Sequence, residues 1–212
     1  GLSFDDERAH LVVDIGGGTT NIAIIASGGV VASTSLSAAG NAMDESIRDY
    51  IRSKHFLQIG EYTAELVKKD MGTLVDTTDE NDRHLEIVGK HLSDGSPCAI
   101  NIEASEVREA LEPILGDIVT GVRRIVEDAQ PEAVADIYYS GVILTGGGAL
   151  LKGLKERLQS ELGLHVSVPE DPMTTVVVGA GSLLAKPDRL RRCSIRQNLP
   201  VWQESEELVV SW

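Results

Sequence analysis

The sequence predicts an α/β domain built on a mixed sheet, and three observations predict it. Near the start, three short apolar runs are joined by tight glycine turns, the mark of an antiparallel meander. Toward the end, helix and strand patterns alternate, as in the strand–helix units of α/β folds. Two buried-strand patterns, about 130 residues apart, each run straight into three consecutive glycines.

The elements follow in order. Leu11-Val12-Val13-Asp14-Ile15 reads as a buried strand stopped by Gly16-Gly17-Gly18. Residues 21–26 read as a second strand and, past Gly28-Gly29, residues 30–36 as a third. Gly40 and Asn41 open a helix, with Met43, Ile47, Tyr50 and Ile51 at helical spacing. A second helix runs from near Gly60 through Leu66 to Met71, and residues 73–82 are polar and unpatterned. Strands are expected over residues 85–88 and 99–102, with Asp94-Gly95 as the turn between them. Ser105 is expected to cap a long helix on which Val107, Leu111, Ile114, Leu115, Ile118, Val122 and Ile125 keep the period, and Pro131 to end that region. A buried strand over residues 141–145 then enters Gly146-Gly147-Gly148, followed by a helix over 150–162, a short strand over 166–168 and a small-residue helix over 174–184. Beyond Lys186-Pro187 the pattern dissolves into a tail that holds both tryptophans, Trp202 and Trp212.

Composition narrows the function. Hydrophobic residues make up 42%, enough for a real core, and the apolar runs stay well short of a bilayer-crossing helix. A formal charge of −14, from 33 acidic and 19 basic side chains, repels nucleic-acid phosphates. The most basic stretch, residues 189–196, lies in the tail, so no nucleic-acid partner is expected. The charge does not exclude a nucleotide, because a phosphate site made of backbone N–H groups and a metal needs few lysines. Cys98 and Cys193 show no metal-ligand spacing and fit a reducing compartment. His10, His55, His84, His91 and His165 are scattered, with no zinc or catalytic cluster. No segment has the layout of a secretory signal, and a first residue Gly1 reads as the start of a piece of something longer.

Two motifs carry chemistry. In Asp14-Ile15-Gly16-Gly17-Gly18-Thr19-Thr20, the glycines strip every Cβ from the turn, so a phosphate can approach the backbone and meet successive N–H groups. Asp14 at the strand end is a candidate magnesium-side carboxylate, acting through the ion's water shell because magnesium dehydrates reluctantly. Thr19 and Thr20 offer hydroxyls to a phosphate oxygen. In Leu144-Thr145-Gly146-Gly147-Gly148-Ala149, a strand meets a glycine turn and then a helix, where a ring or ribose can lie against bare backbone. Taken singly, the first also fits an ordinary glycine hairpin and the second an ordinary tight connection. Neither is a Walker loop, and the first opens into a strand, unlike the dinucleotide fingerprint.

Their conjunction resembles the second half of the actin/Hsp70 ATPase group, and most of all the MreB-type bacterial actins. The resemblance rests on residues 14–20 (the "phosphate 2" loop), Ala39-Gly40-Asn41-Ala42-Met43-Asp44-Glu45, Ile59-Gly60-Glu61-Tyr62-Thr63-Ala64-Glu65, residues 144–153 (the "adenosine" motif), and Glu170-Asp171-Pro172 leading into Val178-Gly179-Ala180-Gly181. They cover nearly all of residues 10–184 in the family's order.

The resemblance implies a ribonuclease-H-like core subdomain over residues 9–53 and 104–185, a small inserted α+β subdomain over 54–103, and a tail of unknown structure over 186–212. It implies ATP and magnesium as cofactors. Asp14, Gly16, Gly17, Gly18, Thr19 and Thr20 would hold the phosphates, and Gly146, Gly147 and Gly148 the nucleoside. Glu65 and Lys68 match the family's ribose-side Glu-x-x-Lys pair, with Glu61 on the same wall, although the two also read as an exposed helix-surface pair. The helix over 174–184 is similar to the family's hinge helix. No residue is assigned as catalytic beyond Asp14, because no second Asp-x-Gly-Thr hairpin occurs in the sequence. By this reading the intact protein is about twice as long, polymerises with copies of itself and directs cell shape from the cytoplasm at the inner membrane face. Its further partners would be the missing N-terminal domain and membrane-linked cell-wall synthesis or shape proteins. An Hsp70-like chaperone, or a plasmid- or magnetosome-segregating filament, would share the same motifs.

Overall fold

Alternating apolar residues generate the first sheet. In the computed structural model, which describes residue 2 and residues 6–75 and 83–185, β1 (His10–Ile15), β2 (Thr20–Ala26) and β3 (Gly29–Leu36) form the expected meander. Leu11, Val13 and Ile15 of β1 and Ile22 and Ile24 of β2 are fully buried. β1 pairs on its other side, in parallel, with β7 (Val142–Thr145), and β8 (Val166–Ser167) pairs in parallel with β7. The sheet thus has five strands in the order β3-β2-β1-β7-β8, antiparallel on one side of β1 and parallel on the other. A second, three-stranded antiparallel sheet holds β4 (Leu57–Gln58), β5 (His84–His91) and β6 (Pro97–Glu103) in that order.

Two long helices pack against each other, and the longer one lies on β2 and β3 of the first sheet. α1 (Gly40–His55) buries Met43, Ile47 and Ile51. α3 (Ala104–Glu127) buries Val107, Leu111, Leu115, Ile118, Val122 and Ile125, six of the seven residues whose period predicts it; Ile114 is partly buried. Each such side chain stabilises the fold by about 1.5–3 kcal/mol on leaving water. Between these helices lies α2 (Glu61–Met71), with Ala64, Val67 and Met71 buried. One core joins all of these to Leu57, Ile87 and Ile102 of the second sheet.

Several local expectations are corrected. The long helix is capped by Glu103, not Ser105. Glu106 at the third helical position returns its Oε2 to the Glu103 N–H at 3.0 Å, completing a capping box that a Ser-centred reading overlooks. Pro131 opens a helix instead of ending a region: α4 (Pro131–Ser140) has proline in its first turn, where the missing N–H costs nothing. The helix expected over 150–162 is two pieces, a 3-10 turn (Gly147–Leu150) and α5 (Leu154–Leu162), parted by Gly153 at φ +84°. The short strand β4 has too few residues to show an alternation. Last comes α6 (Thr175–Leu184), which falls at the start of a separate unit, Val176–Trp212, distinct from Gly1–Thr175. Val176, Val177 and Val178 of α6 are exposed. The tail over 186–212, with its arginine cluster and tryptophans, and residues 76–82 of the polar loop lie outside the described residues.

Glu106 offers a measurable test of this frame. Its other oxygen meets His55 Nε2 at 2.9 Å, and the side chain is only 14% exposed. Glu106→Ala removes its half of the capping box and this tie between α1 and α3. It is expected to destabilise the protein by about 1–2 kcal/mol. Chemical denaturation should show the loss as a lower midpoint at an unchanged slope.

Candidate functional site

The parallel pairing of β1 with β7 sets Asp14 beside Thr145, so both glycine turns leave the sheet at the same end. A Cβ placed on Gly146 would lie 2.4 Å from the Ile15 carbonyl oxygen and 2.5 Å from Asp14 Oδ1. One on Gly148 would lie 2.3 Å from Ile15 Cγ2. Gly146 also holds φ at +82°, a region in which side chains are strained. The convergence on which the sequence reading depends is therefore present, and it requires bare backbone.

The orientation of the first turn follows from its hydrogen bonds. The Gly16 N–H donates to the Thr19 carbonyl at 2.9 Å. The first amides of α1 take the turn's carbonyls: Gly40 N–H donates to Gly16 O at 3.0 Å and Asn41 N–H to Gly17 O at 2.7 Å. In a trans peptide the C=O and the next N–H point in opposite directions. With the Gly16 and Gly17 carbonyls fixed on α1, the Gly17 and Gly18 N–H groups point away from it. A Cβ on Gly18 would meet nothing within 4 Å, so the space above this turn is open. Thr19 is exposed beside it. Thr20 is not: it is fully buried and its hydroxyl donates to the Ala38 carbonyl at 2.6 Å, so it braces the turn from below instead of offering a donor to a ligand, as the sequence reading expected.

The second turn is anchored by Pro172, whose carbonyl accepts from Gly146 N–H at 3.0 Å and from Thr145 Oγ1 at 2.9 Å. Gly147 has open space on its Cβ side. Asp14 stands half-buried between the two turns. No group of three or more His, Cys, Asp or Glu that could hold a metal occurs among the described residues. A single carboxylate beside open amides suits magnesium kept mostly in water and phosphate oxygens, not a protein cage.

The inserted segment supplies a third side. Lys68 of α2 is 16% exposed; its Nζ donates to Asp44 Oδ2 at 2.8 Å and to the Gly40 carbonyl at 2.9 Å. Glu65 faces Lys69 at 2.7 Å, and that hydrogen bond and charge hold its carboxyl below the ordinary glutamate range. Glu61 is 88% exposed and lies 3.7 Å from Arg48. So the structure brings Lys68 up to the first turn, while Glu65 and Glu61 each face another cation. Past α2, Thr73 forms a parallel bridge with Lys152, and Leu74 N–H donates to the Lys152 carbonyl at 2.8 Å. The segment is therefore tied to both glycine motifs. Sequence reasoning gave no role to Asp44, Pro172, Thr73 or Lys152. Asp44, Lys152 and Pro172 lie inside the quoted motifs, but only the fold shows what they touch.

Gly17, Gly18, Thr19 and Gly147 are exposed, so the glycine turns present an open surface. A cavity of about 830 Å³ lies elsewhere, between β3 and α3, lined by residues such as Thr34, Leu36, Asp117 and Arg124. An open face is the form expected of one wall of a cleft.

A five-stranded mixed sheet bearing two converging glycine turns, with a second sheet inserted between α1 and α3, defines an actin-like α/β protein. Comparison then gives the family. The family model described as MreB/Mbl protein matches residues 1–192, and the chain belongs to that family. It is 40% identical over 190 residues to the cell shape-determining protein Mbl of Bacillus subtilis (strain 168), covering 90% of this chain and 56% of the relative. It is 40% identical over 184 residues to the cell shape-determining protein MreB of Escherichia coli (strain K12), covering 87% of this chain and 52% of the relative. Among solved structures, MreB5 of Spiroplasma citri bound to ADP superposes with a TM-score of 0.84 at 35% identity, over 91% of this chain and 57% of that one. A MamK double helical filament superposes at 0.69 with 26% identity, over 84% of this chain and 54% of that one. The chain thus spans about half the length of the curated relatives it matches. No helix among the described residues is long and apolar enough to cross a membrane.

Proposed function

We propose that this chain is the nucleotide-binding half of an actin-like cytoskeletal ATPase that polymerises into filaments and directs cell shape. The observation that carries the reading is the meeting of Asp14 and Gly146 at the ends of two paired strands. Support comes from relatives named as cell shape-determining, from MreB5 structures bound to ADP and AMPPNP, and from the filament structure of MamK. Relatives so described favour the cytoskeletal reading over a chaperone.

In this proposal Gly17 and Gly18 donate their outward N–H groups to phosphate oxygens, and Thr19 adds its hydroxyl. Gly146, Gly147 and Gly148 seat the nucleoside, Glu65 and Glu61 line the ribose side, and Lys68 stands behind them, hydrogen-bonded to Gly40 and Asp44. Asp14 orients a water-shelled magnesium, which when bound would offset phosphate charge. Residues 9–53 and 104–185 form the core subdomain and 54–103 the inserted one. The apolar face of α6 is offered to the protein's other domain as a hinge. The whole protein works in the cytoplasm, at the inner face of the membrane, alongside cell-wall synthesis or shape proteins.

Hydrolysis needs water, metal and charge stabilisation placed together. With one wall, this chain is expected to bind Mg-ATP only at about millimolar concentration and to turn it over negligibly. Titration with millimolar Mg-ATP, followed by amide NMR, should shift Gly17, Gly18, Thr19 and Gly147. Shifts confined to the cavity between β3 and α3, or turnover matching a complete actin-like ATPase, would refute the reading.

A further inference from the structure

Three elements meet at Gly40. A Cβ there would lie 3.3 Å from the Gly16 carbonyl oxygen, 3.4 Å from Gly17 Cα and 3.5 Å from Lys68 Nζ. The Gly40 N–H holds the glycine turn at 3.0 Å, while its carbonyl is held by Lys68 at 2.9 Å. Lys68 reaches across from α2, and its charge is matched by Asp44 one turn along α1. Both side chains are 16% exposed, so this is no solvated surface pair. The second oxygen, Asp44 Oδ1, is buried and accepts no hydrogen bond. Lys68 therefore satisfies a carboxylate that has no other side-chain donor, and its removal would leave a largely buried charge uncompensated.

We propose that Lys68 is a positioning residue: it latches α2 to the phosphate turn through Asp44 and Gly40, so that anion capture at Gly17 and Gly18 sets the position of the inserted segment. This rests on the nucleotide site proposed above. The mechanical chain is short. An anion drawing the Gly17 and Gly18 N–H groups outward shifts the peptides whose carbonyls hold Gly40 and Asn41. Gly40 then moves against the Lys68 ammonium, and α2 carries that movement toward Thr73, Leu74 and their tie to Lys152. Lys69, one residue on, pairs with Glu65 on an exposed surface; it makes no hydrogen bond or ion pair to Asp44 or Gly40 and feels the Asp44 charge only through space.

The test compares Lys68→Met and Asp44→Asn with Lys69→Met in the whole 212-residue chain, using amide NMR and hydrogen exchange with and without millimolar Mg-ATP. In the parent and in Lys69→Met, nucleotide should shift the amides of Val67 and Met71 along with those of the glycine turn. In Lys68→Met the turn should still respond, the α2 response should fall at least about fivefold, and affinity should drop about tenfold, the scale of a charged hydrogen bond. Lys68→Arg should restore part of the coupling. Equal α2 responses in Lys68→Met and Lys69→Met overturn the latch. If the parent shows no nucleotide response at all, the site reading fails instead. The latch is then judged in nucleotide-free protein, where exchange of the Gly40 and Asn41 amides should quicken about tenfold in Lys68→Met, and an unchanged rate overturns it. Should Lys68→Met not fold, Asp44→Asn, which keeps the shape and removes the charge, carries the same readouts.

Discussion

Replacing Gly146 by alanine is expected to be the most damaging single change at the site, lowering stability by about 3 kcal/mol or more and removing nucleotide binding with it. Two effects add. The residue sits at φ +82° and ψ 172°, a region nearly exclusive to glycine that costs a side-chain-bearing residue roughly 1–3 kcal/mol. The new methyl would also stand 2.4 Å from the Ile15 carbonyl oxygen and 2.5 Å from Asp14 Oδ1. The first is backbone of the fully buried Ile15 at the end of β1 and cannot step aside without disturbing the β1–β7 pairing. The second is the carboxylate assigned to the metal, so even a partly relaxed structure misplaces it. Gly147→Ala is the matched comparison, because its Cβ meets nothing within 4 Å. It should leave stability within about 0.5 kcal/mol of the parent. Urea unfolding of the two variants side by side decides the matter; equal midpoints would mean that the turn is looser than its geometry states.

The second large effect is expected from Asp14→Asn, and it should fall on ligand binding alone. Asp14 makes no hydrogen bond on which the fold depends among the described contacts, and asparagine keeps its size. Stability should hold to within about 0.5 kcal/mol. The loss of one negative charge beside the metal should weaken Mg-ATP binding at least about tenfold, the scale of one charge-assisted contact. Binding of ATP in the presence of a chelator should hardly change, because the carboxylate acts through the ion. Titrations with and without magnesium give this ratio directly. A variant that loses affinity equally in both conditions would show that Asp14 holds the turn and not the metal.

Most of the fold was legible because its core strands and helices are strongly periodic. The burial of Leu11, Val13 and Ile15, and of the Val107-to-Ile125 stripe on α3, follows from spacing alone. What was misread depended on chemistry that spacing does not carry. A glutamate cap at Glu103 has no distinctive composition, and Pro131 punctuates a helix start as readily as a helix end. Gly153 divides one apparent helix into two because its φ is positive, a property hidden in a run of good helix formers. At the site, the glycine turns and Asp14 stood out by type and order. The roles of Thr20, Asp44 and Lys68 did not, since each depends on which partner lies across the fold: Ala38 for Thr20, Lys68 for Asp44.

The register of Asp14 against Thr145 also bears on how the protein is born. As the chain leaves the ribosome, the first glycine turn is made before its partner: the strand that completes the pair arrives about 130 residues later. Until β7 slots in beside β1, the two glycine turns proposed to hold a nucleotide do not meet. On the proposed function, nucleotide in the surrounding medium therefore rewards only a chain that has already closed this long-range pairing.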